Sequence, residues 1–296
     1  MATQLREAGA EVTVTGLPRQ GGARVQVPAG IRFAPLDVRD REAVSRAVEE
    51  IRPETVYHFA GLSRVSQSWE DPVGTFHTNL TGTLHVLEAM RRYQPRARFA
   101  FAGSGTEYGE PAVVPTPEES ALRPSSPYAS SKAAADLLCY QYFASFRMPI
   151  VRFRIFGTTG PGKRGDAVND FASQIAALDR KGVPGTIRVG NLDKARDVLD
   201  VRDAVRAMVT VMDRGDPGGA YNIGSGVPRT VRSTLETLLS LARVPIEIES
   251  DPSRARLVDE PVRVADISRL RRLGWAPQVA VEQTLRDSLE FWRNRP

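Results

Sequence analysis

Short segments of strand character alternate with helical stretches through the first half of this chain, and that order most restricts how it can fold. The strand-like segments are 11–15, 31–35, 55–60, 98–103 and 149–155, with helical patterns at 41–51, 75–92 and 130–146 between them. Strands separated by helices line up in parallel, with the helices packed on both faces of the sheet. The expected fold class is therefore α/β, a doubly wound parallel sheet. After Gly157 the pattern loosens, with Gly- and Pro-rich turns at 160–165 and 182–185. A helix at 200–213, a short strand at 220–223 and helices at 231–242 and 281–293 follow. The expected division is a sheet domain over 1–156 and a smaller α/β domain over 157–296. Of the latter, about 197–223 returns to the main sheet.

Composition excludes several roles. The net charge is +5, but the basic residues are overwhelmingly arginine, with Lys132, Lys163, Lys181 and Lys194 the only lysines. They are scattered among acids, as in Arg39-Asp40-Arg41-Glu42, and form no basic block interleaved with aromatics, so no nucleic-acid partner is expected. The single cysteine, Cys139, falls within a helical apolar pattern, which rules out a disulfide framework and fits a reducing cytoplasm. No apolar run reaches the ~20 residues that span a bilayer, so no membrane role is expected. His58, His77 and His85 lack metal-ligand spacing, and no metal site is expected.

Chemistry concentrates in Ser125-Ser126-Pro127-Tyr128-Ala129-Ser130-Ser131-Lys132, with Ser104 upstream at the end of an apolar strand. A tyrosine and a lysine four apart share one helix face. The lysine's charge would favour the phenolate and lower a tyrosine pKa that starts near ~10. A tyrosine so tuned can move a proton to or from a substrate oxygen. A serine hydroxyl across the cleft would hold that oxygen.

Around this trio the chain resembles the extended short-chain dehydrogenase/reductase family, from about residue 2 to residue 294. The motifs are Thr55-Val56-Tyr57-His58-Phe59-Ala60-Gly61, Phe99-Ala100-Phe101-Ala102-Gly103-Ser104-Gly105-Thr106-Glu107-Tyr108-Gly109 and Ile150-Val151-Arg152-Phe153-Arg154-Ile155-Phe156-Gly157. Ser68-Trp69-Glu70-Asp71-Pro72, the stretch from Gly190 to Asp197, and Glu282-Gln283-Thr284-Leu285-Arg286-Asp287 are most similar to its GDP-sugar branch of reductases and dehydratases. The resemblance implies a Rossmann-like dinucleotide-binding domain, NADP or NAD as cofactor, and a GDP-sugar or other sugar nucleotide as substrate. It also implies a homodimer or homotetramer built on the helices at 75–92 and 130–146, where Leu84, Leu87, Leu137, Leu138 and Tyr142 are candidate contacts.

The same resemblance assigns roles. Tyr128 is the expected acid/base, Lys132 tunes it and holds the nicotinamide ribose, and Ser104 orients the substrate oxygen. Asp37 and Val38 match the adenine contact, although Asp37 could equally cap the helix near Arg41. Arg19 stands where NAD enzymes carry an acid for the ribose 2′-OH, which mildly favours NADP. Phe59, Ala60, Gly61, Ser63, Asn79 and Ile155 complete the expected cofactor site. Arg196 and Arg256 match diphosphate-binding positions, and Ser63, Thr106, Asn169, Val189 and Asn191 line the expected substrate pocket. One departure stands out: Gly157 replaces an asparagine that many relatives carry.

Two further readings concern chemistry and completeness. Dehydratases place a carboxylate where Gly105 and Thr106 stand here, and Glu107, one position on, is expected to point elsewhere. That favours reduction at C4 of a keto sugar, with 4-epimerisation, 4,6-dehydration and a catalytically silent binding protein as alternatives. The family's first strand and its Gly-x-x-Gly-x-x-Gly turn are also not found. Residues 2–12 read as the first helix running into the second strand, while Gly16, Arg19 and Gly22 mimic the turn at a spacing too short for it. The expectation is a sheet with a gap at that strand and weak cofactor binding by these residues alone, because that turn supplies the N–H groups for pyrophosphate.

Overall fold

A computed structural model describes residues 1–20, 23–24, 27–254 and 260–295. Helix α1 (Ala2–Glu7) leads to β1 (Thr13–Gly16), which pairs in parallel with β2 (Arg32–Pro35). Helix α2 (Arg41–Ile51) is capped by Asp40, whose carboxylate accepts from the Glu42 and Ala43 N–H groups. Strand β3 (Thr55–His58) precedes a helical stretch that widens into a π turn at His77–Thr81 and continues as α3 (Gly82–Tyr93). Strand β4 (Arg98–Ser104), helix α4 (Pro127–Phe146) and β5 (Ile150–Ile155) complete the first half.

In the second half, α5 (Ala167–Lys181) is a helix that the sequence reading did not anticipate between its two Gly-rich turns. It is followed by β6 (Gly185–Val189), β7 (Ala195–Asp197), α6 (Val201–Arg214) and β8 (Ala220–Ile223). Then come β9 (Pro228–Thr230), α7 (Val231–Leu239), β10 (Ile246–Ser250), β11 (Val262–Arg263) and α8 (Val281–Arg293).

The main sheet has the order β8-β5-β4-β3, all parallel. Period-two alternation sorts its side chains. Phe99, Phe101 and Ile150 pack with α2, α3 and α4 on one face, while Ala100, Val151 and Phe153 pack with α6 on the other. Strand β8 therefore does return to the main sheet. The β1–β2 pair forms a separate two-stranded sheet, and no strand among the described residues bonds to both β1 and β3. A third core joins α5, α7, α8 and the parallel β6–β10 pair. Among the described residues no helix is long and apolar enough to cross a membrane.

Candidate active site

Helix α4 begins at Pro127, ahead of the expected start at 130. The Ser126 hydroxyl accepts from the Ala129 N–H, and Pro127 takes the first helical position, where a missing N–H costs nothing. Tyr128 and Lys132 then stand one turn apart. Lys132 is buried; its Nζ donates to the Ala102 carbonyl at 2.8 Å and lies 5.1 Å from the centre of the Phe101 ring. Burial lowers its pKa to about 8, with Glu107 acting in the opposite direction.

Ser104 closes β4. Its Oγ accepts from the Thr106 N–H at 3.3 Å and from the Thr106 hydroxyl at 2.9 Å, which leaves its own hydrogen for another acceptor. Glu107 turns inward, but not by the strand alternation expected: residues Gly105–Tyr108 form a 3-10 turn, and Glu107 closes a capping box with Ser104 at its start. It is fully buried, Oε1 accepts from the Ser104 N–H at 2.6 Å, and Oε2 has no hydrogen-bond donor among the described residues, with Arg154 Nε at 3.7 Å. Burial, reinforced by the Asp136 charge, raises its pKa.

Tyr128 behaves differently from the sequence expectation. Burial raises its pKa; the Ser104 side chain opposes this as a hydrogen-bonding neighbour, and Glu107 and Arg263 act as weaker charges. The Lys132 ammonium itself is turned to the Ala102 carbonyl and the Phe101 face. A phenol held above its ordinary range near ~10 keeps its proton at neutral pH.

The segment after β3 is exposed at the carboxyl end of the sheet, where Phe59, Gly61 and Ser63 are open and Ala60 half-buried. Asn79, fully buried in the π turn, clamps this segment. Its Oδ1 accepts from the Leu62 N–H at 2.7 Å, and its Nδ2 donates to the Leu62 carbonyl at 3.0 Å and to Ser131 Oγ at 2.9 Å. A Cβ on Gly61 would lie 2.8 Å from Asn79 Oδ1 and 3.3 Å from Lys132 Nζ, so only a glycine lets the chain pass there. Ile155 ends β5, the strand beside β4, at the same edge. Arg19 is exposed just beyond β1. Asp37 and Val38 follow β2. The Asp37 carboxylate pairs with Arg39, at 2.6 Å to Nη2, which lowers its pKa. Asp37 does not cap α2, because Asp40 holds that position. Val38 packs where a Cβ on Gly82 would stand, and its carbonyl accepts from His85 Nδ1 at 2.9 Å.

Several expected substrate residues are placed otherwise. Asn169 is buried and its amide is spent at the start of α5, donating to Thr159 Oγ1, Gly160 O and Asp166 Oδ1 and accepting from Trp292 Nε1 at 2.8 Å. It braces α5 against α8. The Val189 side chain belongs to the third core, and Asn191 is exposed, accepting from the Asp193 N–H. Arg196 is half-buried on β7, where its Nη1 donates to the carbonyls of Ala195 and Glu260. Arg256 lies outside the described residues.

The sequence reading saw the arginines as scattered among acids and missed a buried ionic cluster behind Ser104, Tyr128 and Lys132. Asp136 on α4, completely buried, accepts from Arg152 at 2.6 Å and from Arg154 at 3.0 and 3.1 Å. Arg154 also donates to the Tyr108 hydroxyl and the Glu118 carbonyl. Alternating arginines in an apolar strand, opposite a helix with one buried acid, were the available signal. The Gly157 departure also has a cause: a Cβ there would sit 1.7 Å from the Asp197 carbonyl oxygen.

A family model for GDP-mannose 4,6 dehydratase matches residues 19–288. The chain belongs to that family. It is 34% identical to the GDP-6-deoxy-D-mannose reductase of Pseudomonas aeruginosa, over 82% of this chain and 81% of that protein. It is 31% identical to a UDP-glucose 4-epimerase of Streptomyces lividans, over 100% of this chain and 93% of the epimerase. Among solved structures, RMD from Pseudomonas aeruginosa complexed with NADPH superposes with a TM-score of 0.82 at 32% identity, covering 89% of this chain and 91% of that one. The UDP-glucose 4-epimerase of Thermus thermophilus, in complex with NAD, gives 0.88 at 32% identity over 99% and 94%. This family member thus shares its Rossmann-like extended short-chain dehydrogenase/reductase fold with both reductases and epimerases.

Proposed function

We propose that this chain is a nicotinamide-dependent reductase of a GDP-4-keto-6-deoxyhexose. The observation that carries the reading is the site around Ser104: a protonated Tyr128 beside it, and no carboxylate at Gly105 or Thr106 to work on C5, Glu107 being turned inward. Dehydration needs such a carboxylate, whereas ketone reduction needs only a positioned donor. Similarity to a GDP-6-deoxy-D-mannose reductase agrees.

The residues fit a nicotinamide cofactor at its ribose end. Lys132 carries three donors and has one hydrogen-bond acceptor among the described residues, and it faces the backbone of Gly61. Lys132 and the segment 59–63 would hold the ribose; Ile155 would border the nicotinamide, and Asp37, Val38 and Arg19 would meet the adenosine end, with NADP favoured over NAD. When bound, that group supplies a hydride for C4. Ser104 donates its free hydrogen to the C4 oxygen and fixes its position. Tyr128 passes its proton to the same oxygen as negative charge develops there. Residues 157–296 form mainly the sugar-nucleotide domain on this reading.

A second copy of this chain fits the face of α3 and α4. Leu84, Leu137, Tyr140 and Phe146 are exposed there, whereas Leu87 and Tyr142 are buried, and Leu138 packs partly, in the chain's own core. The reading places the enzyme in the cytoplasm. A 4-epimerase is the second reading, favoured by the full-length similarity to UDP-glucose 4-epimerases. Incubation with a GDP-4-keto-6-deoxy sugar and NADPH separates the two: a reductase consumes NADPH mole for mole, and an epimerase does not. Tyr128→Phe is expected to cut turnover at least ~10²-fold with substrate binding little changed. Near-normal turnover would remove Tyr128 from the mechanism.

A further inference from the structure

The Ser104 hydroxyl and the Tyr128 phenol must meet one substrate oxygen, yet they come from different elements, the end of β4 and the first turn of α4. A buried path of side chains joins the two. Tyr128, Lys132 and Asp136 follow one another at intervals of four along α4 and share a face of it. Asp136 accepts from Arg154, on β5, at 3.0 and 3.1 Å. Arg154 Nε lies 3.7 Å from Glu107 Oε2, and Glu107 Oε1 accepts from the Ser104 N–H at 2.6 Å. Asp136, Arg154 and Glu107 are all buried, and Arg154 is held further by the Tyr108 hydroxyl and the Glu118 carbonyl.

The residues around Glu107 are shaped to admit it. Gly103 pairs with Arg154 across β4 and β5. A Cβ on Gly103 would stand 2.5 Å from Glu107 Oε1 and 2.8 Å from the Phe153 carbonyl oxygen, so the missing side chain is the room that the Glu107 carboxyl takes. A glutamate or glutamine at the third position of a turn reaches back to the N–H of the residue before it; an aspartate is one methylene too short. Among the described residues the Ser104 N–H is the one hydrogen-bond donor to this carboxyl. Burying an acid for a single bond is costly, and such costs gather where a group must be held in place.

We propose that Glu107 is a positioning residue: by holding the Ser104 N–H it sets the Ser104 hydroxyl at the distance from Tyr128 that one carbonyl oxygen can bridge, with Arg154 and Asp136 as its anchor on α4. The inference rests on the reading that Ser104 and Tyr128 act on the same oxygen, and deepens it by giving Glu107 a part in the reaction without contact to the substrate. The part depends on reach and on an acceptor oxygen, not on charge. Burial and the Asp136 charge both favour the neutral form of Glu107, so a glutamine imitates it.

The test is steady-state kinetics of the full chain with a GDP-4-keto-6-deoxyhexose and NADPH, below the melting temperature of every variant. Glu107→Asp keeps the charge and loses the reach; Glu107→Gln keeps the reach and the acceptor and loses the charge. Glu107→Asp is expected to lower kcat about tenfold or more with KM little changed, because small displacements of a positioned group cost that much. Glu107→Gln is expected to recover most of the loss. In a Ser104→Ala background the aspartate should have no further effect, since the hydroxyl it misplaces is gone; a role confined to the fold would lower kcat equally in both backgrounds. A glutamine variant as slow as the aspartate variant, an aspartate variant as fast as the parent, or an equal loss in both backgrounds overturns this inference alone. A parent chain that turns over no keto sugar overturns the reading beneath it.

Discussion

Lys132→Met should make this protein more stable at neutral pH. Lys132 is 5% exposed, and burial lowers its pKa from 10.5 to about 8. The folded state therefore holds the proton less tightly than the unfolded chain, by 10.5 less 8 pKa units. At 1.36 kcal/mol per unit this costs about 3 kcal/mol at pH 7, where both states are protonated. Methionine removes that cost but abandons the 2.8 Å bond to the Ala102 carbonyl, a loss of about 1 kcal/mol. The net expectation is a gain of about 2 kcal/mol at pH 7, measured by urea unfolding, with activity lost. The sign follows from proton linkage: between pH 8 and 10.5 the unfolded chain binds more protons, so the parent's stability rises with pH through that window. Methionine has no such dependence. The variant's advantage should therefore shrink above pH 8 and reverse by pH 10.5, leaving the parent about 1 kcal/mol ahead. A variant less stable than the parent at pH 7, or a difference that does not change with pH, would refute the reasoning.

Asp136→Asn leaves Arg152 and Arg154 buried without their carboxylate and should cost about 3–5 kcal/mol in urea unfolding; an unchanged midpoint would show that the cluster is solvated. Gly157→Ala drives a Cβ into the Asp197 carbonyl at 1.7 Å and should lower stability by about 2 kcal/mol or more, read as a fall in melting temperature. It should also disturb β7, which carries Arg196, so weaker GDP binding is expected beside the lower melting point.

What could be read without coordinates was local. A tyrosine and lysine four apart in a helix must share a face, although the helix starts at Pro127 and not at the expected 130. Apolar segments alternating with helical ones leave a parallel sheet as the economical arrangement, and β8-β5-β4-β3 has that form. The missing carboxylate at Gly105–Thr106 was likewise legible, but the inward turn of Glu107 comes from a capping box with Ser104 in a 3-10 turn and not from strand alternation. Helix α5 escaped because the glycines around it drew attention to turns, although Asp166 caps its start and Gly182 ends it.

Partnerships between distant residues lay beyond a linear reading. Whether Asp37 or Asp40 caps α2 depends on where the first turn closes, and Asp37 went to Arg39 instead. Where the Lys132 ammonium points is likewise set by the fold, and the Ala102 carbonyl took it. Asn169 matched a substrate position but is consumed by Thr159, Gly160, Asp166 and Trp292. Arg229, Arg196 and Arg263 become neighbours only when three strands align. By itself the sequence determined the periodicities, and with them the parallel sheet and the faces on which Ser104, Tyr128 and Lys132 sit. The tertiary structure alone decided which buried charges meet and which donors remain for a ligand, because Coulomb energy and desolvation depend on distance and burial, not on separation along the chain.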